Sequence, residues 1–351
     1  MDFLIKNAME GLKNSNFNNV EVGKANIKVV GAGGAGNNMV SWLYKKGIQG
    51  AEIIACNTDK QHLDISEADK KFIIGANLTR GLGCGGYPNK GTEAARESLK
   101  NCDMVFICAG MGGGTGTGSA PVIAQVAKEM GSIVIGTVTM PLNIEKARVD
   151  KAEFGLQQLR DKCDTVIVID NNRLVTIAGN LPLRQAFAVA NELVSTMIKG
   201  IVETIAVPSL VNLDYADVKA IMSEGGVSVI GIGESDTANR VDEAVKRALS
   251  NPLLDVSYDG ATGSLIHITG GEDLTLDEVS RVGEIVTETL DPEATVIWGA
   301  RISEEMKGKL RVMTIITGVT SPYVLGKVDA RHKSKAQQRF GEELGIEMVR
   351  A

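Results

Sequence analysis

Apolar and polar positions fall into two regimes along this chain. From Ile27 to Ile169, short apolar runs (Ile27–Val30, Glu52–Cys56, Phe72–Ile74, Met104–Cys108, Ile133–Val138 and Thr165–Ile169) alternate with segments of helical spacing near Met39–Lys46, Thr92–Lys100, 119–130 and Ile144–Leu159. Runs that stay apolar at successive positions suit strands covered on both faces. Their alternation with helices predicts a mostly parallel sheet with helices on both sides, in which ligands sit beyond the carboxyl ends of the strands. Over 183–206 the period becomes purely helical. Phe187, Ala190, Val194, Met197, Ile198, Ile201 and Ile205 recur at threes and fours between Pro182 and Pro208, which predicts one long buried helix of about 36 Å.

Beyond Gly225-Gly226 the pattern resets. Val227–Ile232, Leu265–Thr269, Thr295–Ala300 and Leu310–Gly318 read as strands, with helices near Ala238–Leu249 and Leu276–Leu290, giving a smaller α+β domain. At the amino end, Phe3, Leu4, Ala8, Met9 and Leu12 predict a short amphipathic helix on a polar tether. From Gly326 the chain turns basic (Lys327, Arg331, Lys333, Lys335, Arg339) and closes on Leu344-Gly-Ile-Glu-Met-Val-Arg350, which reads as a flexible tail with a short apolar terminal motif, either a docking peptide or a fraying end. The expected organisation is an N-terminal extension (1–25), a Rossmann-like domain (26–182), a central helix (183–207), a second domain (208–322) and the tail (323–351).

Composition narrows the function. With 351 residues, a net charge of −6 and a pI near 5.4, the chain does not resemble a nucleic-acid binder that works by neutralising phosphates. Five cysteines without a CxxC pair point to a reducing compartment, and three scattered histidines do not suggest a metal site. No apolar stretch approaches the ~20 residues of a membrane span, so a soluble, unsecreted protein without direct membrane insertion is expected.

The chemistry concentrates in glycine-rich turns. Gly110-Met-Gly-Gly-Gly-Thr-Gly-Thr-Gly118 carries six glycines in nine residues between a predicted strand and a predicted helix. Backbone N–H groups can converge there on one anion, assisted by the helix N-terminus and the hydroxyls of Thr115, Thr117 and Ser119. Polyphosphate is the expected ligand. Gly31-Ala-Gly-Gly-Ala-Gly36 fits GxGxxG, with Asp59 where dinucleotide folds place a ribose-binding acid, so an NAD(P) oxidoreductase is a remote alternative. A third glycine-rich connection spans Thr79–Pro88, and no GxxxxGK[ST] occurs.

After the long helix comes Asn212-Leu-Asp-Tyr-Ala-Asp217, an amide and two carboxylates leading into another helical segment. Each aspartate alone reads as a helix cap or a surface acid. If the long helix starts beside the glycine turns, however, Asp214 and Asp217 lie about 30–40 Å from their own chain's phosphates. They can act only on a nucleotide held by another copy, which requires head-to-tail stacking and an open filament. The chemistry expected is attack of water on a terminal phosphoryl group, with the carboxylates polarising the water.

Taken together, residues 27–322 resemble the FtsZ family of tubulin-like cell-division GTPases. Gly112–Gly118 is similar to the tubulin/FtsZ signature, and Asn212–Asp217 to the family's catalytic synergy loop. The resemblance implies GTP and GDP as ligands with Mg²⁺, and GTPase activity switched on by polymerisation. It also implies a cytoplasmic location at the midcell division site and self-assembly into protofilaments. Membrane-anchoring or division proteins are the partners expected at the tail, although the tail departs from the usual bacterial motif that recruits membrane anchors. Carried over by position, it assigns Gly33, Gly34, Ala35, Gly36, Asn37 and Asn38 to the first phosphate and base loop, and Gly112, Gly113, Gly114, Thr115, Gly116, Thr117 and Gly118 to the second. Glu145, Arg148 and Asn171 become nucleotide and ribose contacts, Phe187 and Asn191 guanine-facing residues, and Asn212, Asp214 and Asp217 the catalytic set acting on the neighbour. Guanine selectivity rests on the resemblance alone, since no NKxD motif is present. The Glu145-to-Arg148 interval is one residue shorter than the common bacterial pattern, a difference that resembles archaeal members. A tubulin-like filament serving cell shape or regulating another filament is the nearer alternative.

Overall fold

The computed structural model describes residues 25–75, 91–207, 209–211, 213–224, 228–250, 258, 261–288 and 290–319. The predicted N-terminal helix, the glycine-rich Thr79–Pro88 connection, Asn212 and the tail lie outside these residues.

Six strands, β1 (Ile27–Ala32), β2 (Ala51–Asn57), β3 (Lys70–Ile73), β4 (Met104–Gly110), β5 (Ile133–Met140) and β6 (Thr165–Asp170), form one sheet in the order β3-β2-β1-β4-β5-β6. Every pairing is parallel. β1 is buried along its whole length, as its unbroken apolar run requires when helices cover both faces. The helices are α1 (Gly33–Lys46), α2 (Lys60–Ile65), α3 (Gly91–Ser98), α4 (Thr115–Glu129), α5 (Ala147–Arg160) and α6 (Asn171–Ala178). One sheet face packs on α1 through Met39, Val40 and Leu43; the other packs on α3, α4 and α5 through Ala95, Ile123, Val126 and Leu156.

The central helix α7 (Leu183–Ala206) has the predicted bounds. It belongs to two domains at once. Val194, Met197, Ile198, Ile201 and Val202 share a core cluster with Val29 and Phe106 of the first sheet and with Ile230, Leu265, Met313 and Ile315 of the second. That second sheet, ordered β7-β10-β8-β9, comprises β7 (Ser228–Ser235), β8 (Ala261–Gly270), β9 (Leu290–Ile302) and β10 (Leu310–Thr317). Its far face is closed by α9 (Arg240–Leu249) and α10 (Leu276–Thr287), and α8 (Tyr215–Glu224) joins α7 to it.

Two expectations are corrected. The single helix predicted over Ile144–Leu159 is broken: a 3₁₀ turn at Asn143–Glu145 is followed by Lys146 at φ +37°, and only then does α5 begin. The kink brings the Arg148 backbone against Gly112, where a side chain would stand 2.8 Å from the Arg148 carbonyl oxygen. In addition, α1 and α4 start earlier than their apolar periodicity indicates, at Gly33 and Thr115, inside the glycine turns.

Candidate active site

The carboxyl ends of β1, β4, β5 and β6 open into a cavity of about 280 Å³. Two helices point their N-termini at it. Both α1 and α4 begin without a side-chain cap and without an acidic residue in the first turn. By contrast, α2, α6 and α10 are capped by Asp59, Asp170 and Thr275. In α4 the first ladder bond formed at the helix start is Gly118 N–H to Gly114 O at 3.1 Å, which leaves the preceding N–H groups free for an anion. Unpaired N–H groups and the positive end of the dipole make these ends anion sites.

The glycines divide into two sets. Gly113 has nothing within 4 Å of where a Cβ would stand, and it lines the cavity with Gly34 and Gly114. Gly36 and Gly116 instead let backbones cross: a Cβ on Gly36 would collide with the Cys108 carbonyl, and one on Gly116 would lie 2.6 Å from Gly110 O. Gly33 and Gly112 adopt φ +74° and +90°, conformations that favour glycine.

Of the residues expected to hold the nucleotide, Gly34, Ala35, Gly113, Gly114, Thr115, Gly116, Glu145, Arg148 and Asn171 line this cavity. Arg148 Nη1 donates to Glu145 Oε2 at 2.7 Å, while Glu145 Oε1 accepts the Leu142 N–H at 3.0 Å, so the pair is braced before any ligand arrives. Asn171 Oδ1 is buried and takes no hydrogen bond within the described residues. An orphaned amide oxygen in a cavity wall suits a ribose hydroxyl as its donor.

Other expected residues stand apart. Asn37 is fully buried, and with its amide nitrogen turned to the carbonyls it donates to Gly31 O at 2.8 Å and Cys56 O at 3.2 Å, tying the loop from below. Gly118 and Thr117 are outside the lining. Thr117 packs where a Gly155 side chain would be, and its hydroxyl is unpartnered among the described residues. The Ser119 hydroxyl donates back to Thr115 O at 2.6 Å, and the Thr115 hydroxyl meets that of Thr58 at 2.7 Å. Asn38, Phe187 and Asn191 are outside the lining, Asn38 and Phe187 exposed and Asn191 half-buried. Thr139, Met140 and Pro141 at the end of β5 also line the cavity; their signal was the strand that precedes them. Asp59 caps α2 by accepting the His62 N–H at 3.2 Å, a local role that accounts for it without a ribose.

The acidic loop lies at the opposite end of the sheet. The Tyr215 hydroxyl donates to Asp103 O at 2.8 Å, immediately before β4 begins, whereas the phosphate cradle follows Gly110 where β4 ends. The length of that strand, roughly 20 Å, separates the Tyr215 anchor from the cradle, shorter than the ~30–40 Å expected from the length of the long helix because the loop folds back under the sheet. Asp214 and Asp217 form a reciprocal cap on α8: Asp217 N–H donates to Asp214 Oδ1 at 2.8 Å, and Asp214 N–H to Asp217 Oδ2 at 3.0 Å. One oxygen of each is thereby engaged at the helix start, where Asp214 is exposed and Asp217 half-buried.

A parallel α/β sheet with two open helix N-termini over one glycine cradle is a nucleotide-binding fold. The GTPase domain of the Tubulin/FtsZ family matches residues 26–179, and the C-terminal domain of the FtsZ family matches 226–320. Cell division protein FtsZ 2 of Methanocaldococcus jannaschii is 58% identical over 334 residues, covering 92% of this chain and 88% of that protein. Cell division protein FtsZ 2 of Halobacterium salinarum is 52% identical over 327 residues, covering 91% and 83%. The empty FtsZ dimer from M. jannaschii superposes with a TM-score of 0.77 at 48% identity, over 89% of this chain and 91% of that one. The chain belongs to the FtsZ family of tubulin-like cell-division GTPases, which displaces the NAD(P) alternative.

Proposed function

We propose that copies of this chain stack head to tail in a division filament, and that each copy's Asp214 and Asp217 complete the hydrolytic site over the GTP of its neighbour. The observation that carries this reading is the placement of cradle and carboxylates at opposite ends of one sheet, with Tyr215 anchored before β4 and the glycine loop after it. A water held between the neighbour's free carboxylate oxygens and the terminal phosphoryl group is polarised for in-line attack, while the N–H groups of α1 and α4 hold the phosphates.

Asn171, Glu145 and Arg148 hold the ribose side, and Phe187, Asn191 and Asn38 face the guanine. Asn212 is part of the catalytic set by its place in the synergy loop. Glu145, the carboxylate that lines the cavity, is already engaged by Arg148, and among the described residues no three His, Cys, Asp or Glu side chains converge on a metal position. The residues therefore fit a Mg²⁺ bound chiefly through the nucleotide. When bound, it offsets phosphate charge. The tail is the segment that recruits membrane-anchoring or division partners to midcell.

The test is GTP turnover against protein concentration with Mg²⁺, followed with right-angle light scattering. Specific activity that rises from near zero in step with scattering supports a site built between copies. A rate per molecule independent of concentration overturns it.

A further inference from the structure

We infer that His62 is a further nucleotide contact, set at the terminal-phosphate end of the cradle, where it favours the triphosphate over the diphosphate; this rests on the GTP reading above. The residues along the cavity follow the strand order. Asn171 stands after β6, Glu145 and Arg148 after β5, the long glycine loop after β4, and Gly34 after β1. The next strand outward is β2, and it is followed by Thr58, Asp59 and α2, which carries His62. A nucleotide whose sugar meets the orphaned Asn171 amide runs its phosphates across the glycine loop toward β1 and β2, so its last phosphoryl group arrives beside α2.

The imidazole stands at that point. His62 Nε2 lies 3.7 Å from where a Gly34 Cβ would be, against a glycine that itself lines the cavity. The other ring nitrogen, Nδ1, is buried and takes no partner among the described residues. Nε2 is therefore the ring nitrogen left to reach a ligand, from a half-buried side chain that stands just outside the cavity lining. Among the described residues the side chain makes no hydrogen bond that holds α2: Asp59 caps that helix through the His62 backbone N–H, and the Ser66 hydroxyl donates to the His62 carbonyl at 2.7 Å. An Nε2–H donated to a phosphoryl oxygen is a charge-assisted bond, and a diphosphate lacks the group that would receive it.

The experiment compares the affinities of GTPγS and GDP for the full chain and for His62→Gln and His62→Ala, below the concentration at which scattering appears. The expected result is a fall of about five- to twentyfold for GTPγS, with GDP changed less than about twofold. Equal losses for both nucleotides would show that the ring only packs against Gly34 and would overturn the inference, as would two unchanged affinities. If the parent chain binds neither nucleotide, the GTP reading itself fails, an outcome distinct from either of these.

Discussion

The two ends of the six-stranded sheet handle helix starts in opposite ways. At the carboxyl end, α1 and α4 begin without caps on glycine turns, leaving N–H groups open to a ligand. At the amino end, α8 begins with two aspartates that cap each other's backbone through one oxygen each. One end is built to receive negative charge and the other to present it. Neither end holds all that hydrolysis needs, and complementary ends on one rigid sheet fit a head-to-tail repeat.

The largest expected effect comes from removing charge at the acidic end while keeping the cap. Asp214→Asn retains an oxygen that can accept the Asp217 N–H, so thermal stability should hold while steady-state GTP turnover falls about a thousandfold, or ~4 kcal/mol of barrier. Unchanged turnover would reduce Asp214 to a cap.

Acid should destabilise the fold through a histidine close to the same end. His267 lies on β8 in register with Gly299 of β9, a glycine that packs against Leu213 just before Asp214. Burial, aided by Arg301, pushes His267 down to about 4 from 6.5. The unfolded chain therefore takes up a proton between those values while the folded chain does not, and stability is lost as pH falls from about 6.5 toward 4. The loss, at most ~3 kcal/mol, should appear in denaturant melts and be reduced in His267→Gln. An identical acid profile in that variant would rule the histidine out.

At the glycine end, two alanine substitutions separate packing from binding. Gly116→Ala drives a methyl toward the Gly110 and Ala32 carbonyls, at 2.6 and 3.2 Å, and should destabilise the fold by ~1–3 kcal/mol. Gly113→Ala meets nothing, so melting should be unchanged while GTP affinity drops several-fold. The reverse pattern would exchange their roles. The smallest effect should be Asp170→Ala, which removes the α6 cap at 2.9 Å and costs about 1 kcal/mol in a chemical melt.

Much of this was legible in the residues. The central helix could be bounded because its apolar period runs unbroken between two prolines, and strands buried on both faces announce themselves as apolar runs. The helices α2 and α6 were missed. Six and eight residues are too few for a period to show, although Asp59 and Asp170 marked their starts. The break at Lys146 was also invisible, because Ile144 to Leu159 keeps helical spacing across it. Among the candidate ligands, Asn37 and Thr117 have the right chemistry in the right turns, yet their side chains are committed to the interior of the loop and to α5.

Composition and spacing alone determined that the chain has a phosphate-binding sheet domain, a long helix and a carboxylate loop beyond it, because glycine content, apolar period and acid pairs are properties of contiguous residues. Which glycines face the ligand, which hydroxyls are already taken, and that Tyr215 fastens the acidic loop beneath β4, only the tertiary structure decided. Those facts depend on the close approach of segments as far apart as Asp103 and Tyr215, and no local pattern encodes the distance between them.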